Sequence, residues 1–334
     1  MKETSLYPLR FEPIYQYRPW GGRRLAKLLS RPLPGDHPIG EAWMLSDRHD
    51  HSSVVADGPL KGKTISQLSV EHPQQLLGDL SGHFRRFPLL LKFLDVSQRL
   101  SVQVHPSDAY RALIPAGDTG KTEAWVVLED GPEARVFAGL KAGVGADTLR
   151  RAIASGTVVD LLADFVPKPG DVVFIRAGIV HSMSDAVVFE VQQNSDVTFR
   201  LYDWDRLDPS TGAPRALQVD QAMACIDFAH GPVGSSTPLV QETRPVLREE
   251  LVACDQFGVT RIRGSVPFTV GAMRTPQVLV CLAGSSRLEY VRGSCALNKG
   301  EVLLLPAVVG ECCCRPDGVV DVLEIALPRN RWPR

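Results

Sequence analysis

Apolar positions along this chain fall in short runs, each cut off by glycine or proline. That is the pattern of many strands and tight turns rather than long amphipathic helices. Strands are predicted at Leu89 to Leu94, Leu100 to Val104, Ala124 to Leu128, Val172 to Ile175, Val187 to Val191, Val278 to Leu282 and Val319 to Ala326. Helical spacing is confined to Leu25 to Leu29, Thr64 to Glu71, Pro73 to Leu77, Ala146 to Ser155, Val158 to Asp164 and Ala216 to Ile226. The expected fold is mainly β, a barrel or sandwich with small helical additions.

A phrase recurs. Pro167-Lys168-Pro169-Gly170-Asp171-Val172 leads through apolar residues to Ala177, and Leu297-Asn298-Lys299-Gly300-Glu301-Val302 leads likewise to Ala307. The repeat predicts a duplicated barrel. Gly231 to Pro245, rich in Gly, Pro, Ser and Thr, is the expected linker.

Composition narrows the classes. The 334 residues carry a formal charge of −1, so no global positive field recruits nucleic acid or an anionic membrane. Met1 to Leu6 is charged and lacks an apolar segment, and the apolar runs elsewhere are too short to span a bilayer. A cytoplasmic protein is the expectation. The seven cysteines lie between 225 and 314 in no finger or ribbon spacing, and are expected to be buried strand thiols.

Three segments carry candidate chemistry. In Ser101-Val102-Gln103-Val104-His105-Pro106, Gln103 and His105 alternate and so share one face of a strand. Gly120-Lys121-Thr122-Glu123-Ala124-Trp125 offers a carboxylate, and Gly178-Ile179-Val180-His181 closes a glycine turn with an imidazole. Two imidazoles, a carboxylate and an amide oxygen suit a divalent transition metal, zinc foremost, although other divalent ions accept the same donors.

Gly170, Ala177, Gly178 and His181 resemble the second cupin motif, with Arg176 where a proline is usual. Gln103-Val104-His105 is similar to the first motif, and Glu123 follows His105 after a long gap of 18 residues. Pro19-Trp20-Gly21-Gly22, Gly40-Glu41-Ala42-Trp43, Phe87 to Leu94 and Gln192 to Arg206 extend the likeness. Together these segments resemble the type I mannose-6-phosphate isomerases, in their short bacterial form. The resemblance implies two cupin (jelly-roll) β-barrels with short helical insertions. A metal-binding catalytic unit would span residues 1–235, and a degenerate unit without a metal site residues 246–334. It implies one zinc ion per subunit on His105, Glu123 and His181, with Gln103 as fourth ligand. It implies aldose–ketose isomerisation of mannose 6-phosphate and fructose 6-phosphate through an enediol, with Arg200, Glu190 and Lys121 catalytic and Lys92, Ser101 and Glu41 binding substrate.

The residues themselves leave other readings open. Arg200 could sit in a strand-end salt bridge with Asp196 or Asp203, Glu190 in a structural ion pair, and Lys92 and Lys121 could snorkel. His49 and His51 read as a solvated loop. The same motifs would also serve an isomerase of another sugar, or a sugar-binding cupin that catalyses nothing. The expected partner is a small sugar phosphate, with neither nucleic acid nor membrane, acting on a monomer or homodimer.

Overall fold

The computed structural model describes residues 5–208 and 211–328. The ends of both expected units (1–4 and 329–334), and with them most of the Met1 to Leu6 stretch, lie outside the described residues.

A nine-stranded sheet occupies the first part of the chain. Its path runs Ile14–Gly22, Ile39–Leu45, Leu89–Arg99, His181–Gln193, Val102–Val104 and Phe199–Tyr202. The long strand Glu123–Leu140 joins it through His181–Gln193 and also pairs Leu162–Phe165 and Val172–Ile175. The second part forms a six-stranded sheet (Leu239–Glu242, Leu247–Ala253, Gly258–Gly264, Val320–Ala326, Gln277–Ala283, Val302–Leu305) and a four-stranded one (Phe268–Val270, Cys312–Pro316, Ser285–Tyr290, Gly293–Asn298). All of these pairings are antiparallel. The mainly β architecture with short helices is the one expected.

Side-chain period explains the layering. Leu89, Leu91 and Phe93 point to one face of their strand, as do Val187, Phe189 and Val191 of its neighbour. They meet Val278, Val280, Leu304, Leu323 and Ile325 from the six-stranded sheet in one core. The alternate residues Leu94, Trp125, Val127 and Val188 fill the interior of the first unit. On the other side Leu279, Cys281, Leu303, Leu305 and Val322 pack against Cys312, Cys314 and Phe268 of the four-stranded sheet. Central strands are therefore buried on both faces, which is why they read as continuous apolar runs rather than alternation. The N-terminal segment ties the halves together: Leu9 exchanges backbone hydrogen bonds with Leu304 at 2.8 and 2.9 Å.

Most predicted elements are present. Thr64 and Gln67 form a capping box that starts the helix Ile65–Glu71, and Pro73 opens the next one. One helical expectation is corrected: Val158 to Asp164 is a single 3-10 turn, Val158–Leu161, followed by the strand Leu162–Phe165. Its apolar cluster suits either element, and pairing with Glu123–Leu140 decides for the strand. The expected linker is partly structured, since Leu239–Glu242 pairs with Leu247–Ala253. The repeated phrase yields equivalent strands, Val172–Ile175 and Val302–Leu305, each preceded by a glycine at positive φ (Gly170, 96°; Gly300, 82°). The cysteines are all free thiols; Cys225, Cys281, Cys312 and Cys314 are buried, and burial pushes Cys281 and Cys312 up to about 12. No helix among the described residues is long and apolar enough to cross a membrane.

Candidate metal centre and active-site cavity

Strand ends bring the three candidate ligand residues together. His105 follows Val102–Val104, Glu123 opens Glu123–Leu140, and His181 opens His181–Gln193. Register does the rest, because Gln103 lies opposite both His181 and Arg200 on its two neighbours. One ligand atom from each of His105, Glu123 and His181 falls within 4.8 Å of the others, and all three residues are buried.

Both imidazoles are oriented by their Nδ1 atoms. His105 Nδ1 donates to Val197 O at 2.7 Å and His181 Nδ1 donates to Ile179 O at 2.9 Å. A backbone carbonyl can only accept, so Nδ1 carries the proton and Nε2 presents its lone pair. Nε2 of His181 lies 3.2 Å from Glu123 Oε1, and Nε2 of His105 lies 3.5 Å from Glu123 Oε2. Burial holds the His105 imidazole well below its usual range, with Lys121 adding to the effect. It brings His181 down to about 4, so both rings are neutral near pH 7. Burial pushes Glu123 up to about 7, against the pull of Lys121.

These atoms fit a divalent cation. His105 Nε2 and both Glu123 oxygens are buried without a hydrogen-bond partner. The Lys121 ammonium stands 2.8 Å from Glu123 Oε2, but outside hydrogen-bonding geometry. Orphaned buried acceptors are costly, and a cation touching all three answers that cost. Gln103 stands at the edge of the group, its Nε2 3.2 Å from His181 Nε2 and its Oε1 accepting from Ser101 Oγ at 3.0 Å. A half-turn of that amide exchanges the two ends and aims Oε1 at the ligand cluster.

Beside the ligands runs a chain of alternating charge. Glu190 lies opposite Lys92 on one neighbouring strand and opposite Trp125 on the other. Lys92 Nζ is 3.1 Å from Glu190 Oε1 and 3.6 Å from Glu41 Oε2. Lys121 Nζ lies 3.8 Å from Glu190 Oε1. Trp125 Nε1 donates to Glu190 Oε2 at 2.9 Å, Trp43 Nε1 to Glu41 Oε2 at 2.5 Å, and Arg18 Nε to Glu41 Oε1 at 2.8 Å. Burial raises both carboxyls, but the cations outweigh it: Lys92 and Lys121 hold Glu190 below the usual carboxylate range, and Lys92 and Arg18 do the same for Glu41. Burial lowers Lys92, but Glu190 and Glu41 outweigh it and hold the ammonium above its usual range.

The chain of charge faces a cavity of about 310 Å³, lined also by Tyr17, Trp20, Ser101, Gln103, Asp196, Thr198, Arg200 and Arg215. Arg200 is not in the salt bridge that its sequence neighbours offered. Asp203 is taken by Arg215 and Arg206, each at 2.6 Å, and Arg200 Nε is buried without a partner. His49 and His51 lie away from this cavity: His49 is exposed beside Asp50, and His51 packs edge-on against Trp43 at 5.3 Å.

The structure thus brings together His105, Glu123, His181, Gln103, Lys121, Glu190, Arg200, Lys92, Ser101 and Glu41. Sequence reasoning missed Arg18, Trp43, Trp125 and Arg215. Arg18 immediately precedes the Pro19-Trp20-Gly21-Gly22 signature, and Trp125 closes the Glu123 motif, so both adjoined a visible signal. Nothing around Arg215 marked it.

Among the described residues, fold and site define a mainly β protein of cupin-like type with a His–Glu–His group that could hold a metal ion and a polar cavity beside it. A family model described as phosphomannose isomerase type I, catalytic domain, matches residues 9–121. The mannose-6-phosphate isomerase ManA of Bacillus subtilis is 34% identical over 308 residues, covering 91% of this chain and 94% of the relative. The mannose-6-phosphate isomerase of Streptococcus mutans is 35% identical over 306 residues, covering 90% and 93%. The crystal structure of mannose 6-phosphate isomerase from Bacillus subtilis superposes with a TM-score of 0.86 at 31% identity, covering 95% of this chain and 99% of that one. The chain belongs to the type I mannose-6-phosphate isomerase family.

Proposed function

We propose that this protein interconverts mannose 6-phosphate and fructose 6-phosphate with a bound zinc ion. The observation that carries the reading is the convergence of buried His105, Glu123 and His181, with His105 Nε2 and the Glu123 oxygens lacking a hydrogen-bond partner, beside the buried Lys92–Glu190 pair. His105, Glu123 and His181 would hold the metal, with Gln103 as fourth ligand. A zinc ion held there would supply Lewis-acid stabilisation of negative charge on a substrate oxygen.

The remaining work falls to side chains. Glu190 is the base: held ionised by Lys92 and Lys121, it takes the proton from C2 of the aldose and returns it to C1. Lys121, between Glu123 and Glu190, donates to the oxygen that gains negative charge. Arg200, permanently charged, faces the same charge from the other side of the cavity. Lys92, Ser101 and Glu41 bind and orient hydroxyls. Trp125 and Trp43 fix the two carboxylates and keep water from them.

The metal-bearing unit spans residues 1–235 and the degenerate unit 246–334. The protein acts in the cytoplasm on a small sugar phosphate, as a monomer or homodimer. The test is a coupled assay with mannose 6-phosphate before and after chelation. Activity that vanishes with chelator and returns with zinc supports the reading. A folded, zinc-loaded protein that leaves mannose 6-phosphate unchanged sinks it.

A further inference from the structure

The strands Leu89–Arg99 and Val102–Val104 both pair with His181–Gln193, but out of step. Arg99 lies opposite Ser184 and Gln103 opposite His181, so four steps along one chain match three along the other. The extra residue falls at Leu100–Ser101, between the two strands. Neighbours in a regular strand face opposite sides, and an inserted residue re-aims them. Leu100 and Ser101 both line the cavity, together with Gln103. The carbonyl at this bulge, Leu100 O, accepts from Ser182 Oγ at 2.8 Å and from Trp204 Nε1 at 2.6 Å. Trp204 comes from the turn that follows Phe199–Tyr202, the strand that carries Arg200. That turn is strained. Trp204 (φ 60°) and Asp205 (φ 53°) are consecutive non-glycine residues in the left-handed region, an arrangement that persists only where its surroundings fix it. Tyr202 OH donates to Asp205 Oδ2 at 2.9 Å, and Arg206 N donates across the turn to Asp203 O at 3.2 Å. The Trp204 ring packs against Tyr202 and Phe137, at 5.6 and 6.1 Å between centroids, beneath the Arg99 guanidinium at 4.5 Å.

We infer that Trp204 is a positioning residue: its indole N–H holds the bulge at Leu100 so that Ser101 stays aimed into the cavity. Trp204 itself does not line the cavity. It acts at one remove, through the backbone of the residue before Ser101, whose Oγ in turn donates to Gln103 Oε1 at 3.0 Å. The strained turn serves that end, since the left-handed backbone at Trp204 and Asp205 carries the ring back from the Arg200 strand onto the junction. The inference rests on the isomerase reading for what Ser101 does to substrate; the clamp on Leu100 does not depend on it.

The test is a double-mutant cycle on zinc-loaded full-length protein, with Trp204→Phe, Ser101→Ala and the two combined. Trp204→Phe keeps an aromatic ring, removes the N–H, and leaves Leu100 O its bond from Ser182. It is expected to lower kcat/KM for mannose 6-phosphate roughly 3- to 10-fold, as loss of one neutral hydrogen bond predicts, with zinc content unchanged. That loss should disappear in the Ser101→Ala background, because both changes act at one place. An equal loss in both backgrounds would make Trp204 a general support of the fold and overturn the inference, as would wild-type kinetics in Trp204→Phe. Should Trp204→Phe not fold, the exposed Arg99→Gln carries the test by freeing the ring from its cation. Its smaller loss should likewise vanish with Ser101→Ala, and a loss that persists there overturns the inference. Should the wild type leave mannose 6-phosphate unchanged, the functional reading fails on its own, and hydrogen exchange decides the clamp. The clamp stands if Trp204→Phe speeds exchange only at the amides of residues 100–104. It falls if exchange there is unmoved or rises across the whole sheet.

Discussion

Lys92 and Glu190 sit directly opposite one another on adjacent antiparallel strands, and their side chains close to 3.1 Å inside the first unit. Each is nearly solvent-free, at 3% exposure of the side chain. Breaking such a pair from one side leaves an uncompensated buried charge. Lys92→Met is therefore expected to cost about 3–5 kcal/mol, read as a lower urea midpoint at neutral pH. The double variant Lys92→Met/Glu190→Gln should recover part of that loss. A single variant as stable as the wild type would show that the pair is hydrated and the charge network is misjudged.

Metal content gives the second prediction. His105→Ala removes one of three converging donors and should leave substoichiometric zinc by elemental analysis, with kcat lowered at least about 100-fold when the metal's contribution is lost. Full occupancy with normal turnover in that variant would move the metal elsewhere.

Gly178 shows how backbone shape sets the ligand geometry. It adopts φ 91°, donates its N–H to His105 O at 2.8 Å, and stands three residues before His181. A Cβ there would lie 3.2 Å from both Asp227 Cβ and Cys225 O. Gly178→Ala should cost about 1 kcal/mol or more through the left-handed backbone alone. It should also weaken zinc retention against a competing chelator. Stability lost with zinc affinity intact would uncouple the turn from the metal group.

Asp203 predicts an acid limb. Burial raises its carboxyl, but hydrogen bonds from Arg215 and Arg206 outweigh this and hold it below its ordinary value. The unfolded chain, near 3.9, then takes up the proton first as acid is added. The stabilisation is complete above about pH 5 and drains away as pH falls through the depressed folded value. The gap in melting temperature between wild type and Asp203→Asn should be widest near neutrality and close toward pH 3. A gap that stays constant with pH would mean that Asp203 acts through packing rather than charge.

Much of this was legible in the sequence because strand chemistry is local. Apolar runs such as Leu89-Leu90-Leu91 locate the central strands, and the motifs around His105, Glu123 and His181 single out three residues that the structure brings together. What escaped depends on tertiary register. Arg18 meets Glu41 only because the strand Ile14–Gly22 pairs with Ile39–Leu45, and through Glu41 it joins Lys92 on the next strand. Arg215 reaches the cavity from a connection without regular structure, held there by Asp203. The strand Leu162–Phe165 was read as helix since its partner, not its own composition, decides its state. The free Arg200 could not be told from a paired one until Asp203 was seen to be occupied.

The core shared between the two sheets also sets what holds the buried charges in place. Phe93 and Val191 sit one residue from Lys92 and Glu190 on the same strands, and the layer they join is completed by Val278, Val280 and Leu304 from the far sheet. The six-stranded sheet is therefore the backing plate against which the strands bearing Lys92 and Glu190 are seated. A change of side-chain volume at Val280 or Leu304 is thus passed through Phe93 and Val191 to the strands that carry Lys92 and Glu190.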